Sequence, residues 1–381
     1  MSEWKEILLG DVIEIINGFA FKSSNFLEAK IDNSLPVIKI KNVANGDVHL
    51  NGCQFHAFNK TLDKFVIEKG DVLIALTGNH PEVMTQVVGE ASRYKLNDRA
   101  FLNQRVAKVL PKENKKVSND FLYYFLKDDS THDYLASQST GSANQANISK
   151  IDIENIPITL PPLSEQTAIA EVLCSLDDKI DLLQCQNKTL EQLAETLFKQ
   201  WFIEEVEGSW DIGKVEDLFT LQRGFDLPSQ NRTKGAYPII ASNGINGYHD
   251  EYKIKGPGVT TGRSGVLGKV IYTQEDFWPL NTTLFIKEYK IATPLFAYFF
   301  LKTLDLETLN AGSAVPTLNR NHVHEMATVI PNHKIVIEFE EIVAINFQKI
   351  KSNTQQIHTL TELRDTLLPK LMSGEVRVND N

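Results

Sequence analysis

Trp4-Lys5-Glu6-Ile7-Leu8-Leu9-Gly10-Asp11 near one end of the chain is echoed by Trp210-Asp211-Ile212-Gly213-Lys214-Val215-Glu216-Asp217. Asn17-Gly18-Phe19 is echoed by Arg223-Gly224-Phe225 at the same offset of 206 residues, without a gap. Gly141-Ser142-Ala143 returns as Gly312-Ser313-Ala314, and Leu160-Pro161 as Ile330-Pro331. Lys179-Ile180, Leu190, Leu193, Thr196 and Leu197 then recur as Lys349-Ile350, Leu360, Leu363, Thr366 and Leu367, now at an offset of 170. An ordered set of matches marks an internal duplication. The shrinking offset makes the first globular unit about 36 residues longer than the second. Each half has similar edges, a divergent middle and a helical tail.

The tails carry coiled-coil spacing. From Ile169, alternating steps of four and three land on Leu173, Leu176, Ile180, Leu183, Asn187, Leu190, Ala194, Leu197 and Trp201. From Phe339 they land on Val343, Asn346, Ile350, Asn353, Ile357, Leu360, Arg364, Leu367 and Leu371. This is a heptad seam. Pro161-Pro162 precedes the first helix, Ser164 is its expected cap, and Gly208 and Gly374 are the expected stops. An amphipathic helix cannot bury its seam alone. Pairing the two antiparallel within the chain sets Asn187 opposite Asn353. It also sets Leu183 opposite Ile357, Ile180 opposite Leu360, Leu190 opposite Ile350, Leu173 opposite Leu367 and Trp201 opposite Phe339. Two amides that meet in an apolar seam satisfy each other and fix the alignment. Two separate dimerisation helices are the plainer alternative.

Between the edges lie short β-like runs at 37–41, 71–76, 237–240 and 268–272, separated by Asn-Gly turns. Short helices are expected near Asn119–Lys127 and Pro294–Lys302. The fold class is therefore α+β: two mixed α/β domains related by a pseudo-twofold and joined by two long antiparallel helices. The expected boundaries are 1–161 and 208–331 for the domains, and 162–207 and 332–377 for the helices.

The 381 residues carry 39 Lys+Arg and 49 Asp+Glu, net −10. Hydrophobic residues make up 42%, too many for a disordered chain. No apolar run approaches the roughly 18 residues of a membrane span. The start shows no basic-then-apolar signal, and Cys53, Cys174 and Cys185 are too few and scattered for a disulfide framework. The expected compartment is the reducing cytoplasm.

No catalytic constellation emerges. Gly262-Arg263-Ser264-Gly265-Val266-Leu267-Gly268-Lys269-Val270 has one residue too many for a phosphate loop, and Val270 stands where Ser/Thr would hold magnesium. The glycines at 256, 258 and 262 miss the dinucleotide pattern by one position. His322-Val323-His324-Glu325 lacks a second ligand pair, so no metal is expected and a surface strand or loop end is the plainer reading. An enzyme is not expected.

Ile156-Pro157-Ile158-Thr159-Leu160-Pro161-Pro162-Leu163-Ser164-Glu165-Gln166-Thr167-Ala168-Ile169 resembles the conserved-region entry of the specificity subunits of type I restriction-modification systems. Leu367-Leu368-Pro369-Lys370-Leu371-Met372-Ser373-Gly374-Glu375-Val376 resembles the end of a half. The second entry, Ile330-Pro331-Asn332-His333, departs from the pattern by lacking the proline pair and Glu-Gln. The resemblance spans the whole chain. It implies two target recognition domains, each reading half of a bipartite, asymmetric double-stranded DNA site. The helices would set the spacing and dock two modification subunits. S-adenosylmethionine would sit in those subunits, and ATP and magnesium in restriction subunits that join later, with no cofactor in this chain. A related system with a fused methyltransferase-nuclease partner, or a non-DNA coiled-coil adaptor, remains open.

Sequence readers place Arg, Lys, Asn and Ser on loops or strand ends. In the second domain the candidates are Ser242, Asn243, Tyr248, Arg263, Ser264 and Lys269. In the first they are Lys39 and Lys41 on one strand face, Asn42, Thr77, Asn79, Asn103 and Arg105, which could instead pair inside the fold. Charge by segment removes the objection raised by −10. Residues 1–160 are net −2, 161–207 net −7, 208–331 net 0 and 332–381 net −1. The acidity concentrates on the first long helix, and the two domains are near neutral.

Overall fold

A computed structural model describes residues 4–44, 47–78, 88–112, 116–142, 145–206, 208, 210–312 and 315–378. The chain divides into two compact units, 1–181 with 357–381, and 182–356. These do not follow the expected boundaries, because the helices are not separate bodies. Residues 163–181 and 357–372 of the long helices bury their apolar faces in the first unit's core, and the remaining halves do so in the second. An amphipathic stripe is stable only where it is covered, so each half-helix joins the core that covers it.

In the first unit, Lys5–Leu8 pairs antiparallel with Pro157–Leu160. One sheet runs in the order Ile13–Asn17, Val106–Pro111, Val72–Ala75, Ala91–Arg93, Asp47–Val48, Val43–Ala44. A second runs Phe55–Ala57, Ser34–Ile38, Ala100–Leu102, Val66–Ile67. Val72, Leu73, Ile74 and Ala75 are all buried, so this strand has core on both faces. Asn119–Lys127 packs Phe121, Leu122, Tyr123, Tyr124 and Leu126 into the core with Ile169, Leu173, Leu368 and Leu371.

The second unit repeats the plan. Asp211–Lys214 pairs with Ala327–Ile330. One sheet runs Phe219–Arg223, Thr283–Tyr289, Gly258–Gly262, Val270–Thr273, and another Gly244–His249, Tyr237–Ala241, Trp278–Pro279. Pro294–Thr303 covers the core together with Ala194, Phe198, Phe339, Val343 and Phe347.

The first long helix is Leu163–Lys199, continued by a π-turn at Gln200–Glu204. The second is Ala-poor but unbroken, His333–Met372, with Pro369 in its last turn. Their 37 and 40 residues correspond to about 56 and 60 Å. Ser164 lies inside the first turn rather than at the cap, because Pro162 takes the preceding place and its carbonyl accepts from Gln166 N. Gly208 is not the stop, since the π-turn already ends the helix. Gly374, at φ +75°, does terminate the second, with Val376 N reaching back to Lys370 O.

Within each unit the helix segments run antiparallel. In the second, Asn353 is fully buried and its Nδ2 donates to Asn187 Oδ1 and Gln186 Oε1, both at 2.8 Å. Leu183, Leu190, Leu197, Trp201, Phe339 and Ile350 are buried or half-buried there, and so are Leu173, Ile180, Ile357, Leu360 and Leu367 in the first unit. Asn353 Oδ1 is buried without a partner. A seam asparagine specifies alignment at a cost in stability. Asn353→Leu should therefore raise the second unit's stability by about 1 kcal/mol, since Gln186 is exposed and Asn187 half-exposed and both turn to water. A lower melting temperature in that variant would show that the amide triad is a net stabiliser.

Among the described residues, no helix is long and apolar enough to cross a membrane.

Candidate nucleic-acid interface

Four connections of the second unit converge on an open cleft of about 610 Å³. They follow the Phe219–Arg223 strand, link Tyr237–Ala241 to Gly244–His249, link Gly258–Gly262 to Val270–Thr273, and precede Thr283. Ser242, Asn243, Asn246, Asn281 and Thr282 give it a polar lining. Arg263 NH1 donates to Asn281 O at 3.2 Å, and Lys269 Nζ to Asn243 O at 2.6 Å. Arg232, which the sequence reading missed, donates through NH1 to Asn246 O at 3.2 Å. These cations cap loop carbonyls and keep further donors for a ligand, since a guanidinium has five N–H groups and an ammonium three. Gly265 sits at φ +91° and a Cβ there would lie 3.6 Å from Ser242 Oγ, so the hairpin tip closes directly over the Ser242 turn.

The hairpin is the plain form of the 262–270 stretch: Gly258 pairs with Thr273 and Thr261 with Val270. It is no phosphate loop, because Gly262 is fully enclosed, with space for a Cβ only 1.8 Å from Val266 O. Ser264 is half-buried and bridges to Thr317. Ser242 is only 8% exposed, so its hydroxyl can serve the cleft but not an outer surface. Asn243, Lys269 and Tyr248 are exposed.

Equivalent positions can be read from equivalent hydrogen bonds. Phe19 N donates to Leu102 O as Phe225 N does to Pro279 O. Asn103 N donates to Ile38 O as Leu280 N does to Ile240 O. Leu76 N donates to Arg105 O as Arg263 N does to Thr282 O. Hence Asn103-Gln104-Arg105 occupies the place of Leu280-Asn281-Thr282, and Thr77 the place of Ser264. Thr77 pairs with Asn147 as Ser264 does with Thr317. Candidates chosen separately in the two halves thus fall at one end of one repeated framework. Arg105 is exposed rather than paired within the core, and Asn103 and Thr77 are half-buried. Asn79 lies outside the described residues.

The 37–42 stretch corrects the expectation of a cationic strand face. The strand stops at Ile38, and Ile40–Asn42 forms a 3-10 turn. Asn42 is fully buried: Oδ1 accepts from Lys39 N and Nδ2 donates to Asn51 O. Its amide is the brace of this turn and faces no surface. Lys39 is half-buried, bonded to Gln54 Oε1 at 2.7 Å with Nζ 4.1 Å from the Phe26 ring centroid. Lys41 is exposed and caps Gly52 O.

The His322–Glu325 stretch is also different from the surface strand or loop end expected. It belongs to a short helix, Arg320–His324, whose buried His324 accepts Leu221 N through Nε2 at 2.8 Å. Burial holds this imidazole below its ordinary pKa, and therefore neutral as the acceptor role requires. Among the described residues, no three His, Cys, Asp or Glu side chains gather to hold a metal.

A duplicated fold with a polar loop cluster at the same end of each copy defines a two-site recognition scaffold. The chain belongs to the family described as the type I restriction modification DNA specificity domain, whose family model matches residues 1–192 and 207–362. It is 26% identical over 325 residues, 73% of each chain, to the MjaIX type I restriction enzyme specificity subunit of Methanocaldococcus jannaschii. It is 22% identical to the EcoBI specificity subunit of Escherichia coli, over 98% of this chain and 86% of that one. The crystal structure of a type I S subunit from M. genitalium shares the fold at a TM-score of 0.64 and 17% identity, covering 97% and 96% of the two chains.

Proposed function

We propose that this chain is the DNA-recognition subunit of a type I restriction-modification complex, each domain reading one half of a bipartite, asymmetric target. The observation that carries this is the double family match, which falls once on each copy of the duplicated fold. Different residues at equivalent loop positions support the asymmetry: Leu76 stands where the other domain has Arg263. The chain itself is non-catalytic in this reading. Methyl transfer belongs to two modification subunits that carry S-adenosylmethionine and dock on the long helices, which set the spacing between half-sites. Restriction subunits using ATP and magnesium join the same complex, in the cytoplasm. Phosphate attraction dominates non-specific affinity, and the two domains are near neutral, so the modification subunits supply most of it.

Arg263→Ala tests the assignment. A bidentate guanidinium contact to a base is worth about 1–3 kcal/mol, so affinity for the target should fall about tenfold while the subunits still copurify. Methylation mapped across a genome should lose definition in one half-site alone. Unchanged affinity and an unchanged motif would remove Arg263 from the interface.

A further inference from the structure

The loop after Gly224-Phe225 holds a carboxylate that a DNA-binding cleft ought to avoid. Asp226 is exposed at the cleft, and its Oδ1 accepts from Asn281 Nδ2. Asn281 O in turn accepts from Arg263 NH1. Asn281 therefore contacts a carboxylate through its side chain and a guanidinium through its backbone carbonyl. Arg232 lines the same cleft, and Lys269 is bonded to the carbonyl of Asn243 on its wall. Toward phosphates the carboxylate is purely repulsive and weakens what these cations do.

Resting on the DNA-reading function above, we propose that Asp226 reads the N4 amino group of a cytosine, while Arg263 faces the paired guanine. A carboxylate at neutral pH only accepts hydrogen bonds, so the base edge it meets must donate. In the major groove the donors are cytosine N4 and adenine N6. Adenine places its N7 acceptor beside N6, where it repels a carboxylate, whereas cytosine has only C5–H there. Guanine on the opposite strand offers N7 and O6, two acceptors that match a guanidinium fork. A C·G pair thus complements both tethered groups together.

The duplication supplies the control. Gly18-Phe19 and Gly224-Phe225 hold the same framework contacts, yet the next residue is Ala20 in one domain and Asp226 in the other. Gln104 stands for Asn281, and Leu76 for Arg263. The framework needs none of the three groups to form, so the triad is particular to one domain, as a reader of one half of an asymmetric site must be.

The test uses the full chain coexpressed with its modification subunits in a host free of other adenine and cytosine methylation. The methylated motif is mapped for the wild type, Asp226→Ala and Asp226→Asn, the last keeping the bond to Asn281 and the fold. The wild-type half-site that Arg263→Ala degrades should contain an invariant C·G pair. Asp226→Ala should lower discrimination at that pair about tenfold or more, and Asp226→Asn, which can also donate, should admit bases with an acceptor there. The other half-site should not change. A wild-type half-site without a fixed C·G pair, or variants that keep the wild-type motif base for base, would overturn the assignment and leave the recognition function standing. A wild type that methylates no bipartite motif would instead remove the recognition function itself.

Discussion

Arg364→Leu is expected to destabilise the first unit by about 3–5 kcal/mol. Arg364 NH1 donates to Asp177 Oδ1 at 2.8 Å, and Tyr124 OH to Asp177 Oδ2 at 2.8 Å. The carboxylate and guanidinium side chains are only 12% and 16% exposed. Burial pushes the Asp177 carboxyl up, but the hydrogen bonds from Arg364 and Tyr124 and the charge of Lys127 outweigh it and hold it below the usual range. Removing Arg364 leaves that enclosed charge with the Tyr124 hydroxyl as its remaining side-chain hydrogen bond and only the more distant charge of Lys127 to balance it. The second unit shows the alternative. Its helix Phe296-Ala297-Tyr298-Phe299-Phe300-Leu301-Lys302 matches Phe121-Leu122-Tyr123-Tyr124-Phe125-Leu126-Lys127, and there Phe299, Phe347 and Ala194 stand for Tyr124, Asp177 and Arg364. Phe347 and Ala194 are buried, and the Phe299 and Phe347 rings are 6.0 Å apart. Installing that apolar set together, as Tyr124→Phe, Asp177→Phe and Arg364→Ala, should recover most of the loss, because an ion pair and its apolar replacement are often close in stability. Hydrogen exchange of the first unit's core amides in the intact chain measures both. The pH dependence carries a sign. A carboxyl depressed on folding stabilises the fold above its unfolded pKa of about 4 and loses that contribution as pH falls through the folded value. The wild-type first unit should therefore weaken below about pH 4, and the triple variant should lack that part of the loss. A single Arg364→Leu variant as stable as the wild type would show the ion pair to be energetically idle.

That comparison also shows what could and could not be read in the chain. The seams were legible because heptad spacing is a local pattern. So were the Trp, Gly-Phe and Gly-Ser repeats, since they keep their identity. The match between the 121–127 and 296–302 helices was within reach of the same method but lies at a third offset, 175, between the two already found. Asn42 was not legible: only the fold shows that its amide closes a turn instead of facing out. Arg232, Asp226 and Asn281 were missed for a related reason. Asp226 and Asn281 are 55 residues apart and, with Arg232, converge only when the strands between them pair, so no spacing rule brings them together. The helix ends were misjudged because a proline at 162 displaces the cap from Ser164, and a π-turn ends the helix before Gly208 is reached.

Gly224→Ala should abolish recognition by the second domain, and Gly18→Ala recognition by the first. A Cβ at Gly224 would lie 2.2 Å from Leu280 O and 2.5 Å from Pro279 O, and one at Gly18 would lie 2.2 Å from Asn103 O. These neighbours are backbone, so no rotamer change relieves the overlap. The strand must part from its neighbour where Gly224 N bonds Thr283 O and Phe225 N bonds Pro279 O. Overpacking of this kind costs about 3 kcal/mol, and two ladder bonds are put at risk with it. The displaced segment carries Asp226 on one side and Asn281 on the other, so the cleft loses its geometry even where the unit stays folded. The matched pair of variants makes the expectation sharp. Each should leave the other domain's half-site intact, so a mapped motif should degrade on one side in one variant and on the opposite side in the other. Alanine tolerated at both positions with an undisturbed motif would mean that the Gly-Phe repeat does not position the reading loops, and that the close approach seen at both sites can relax without consequence.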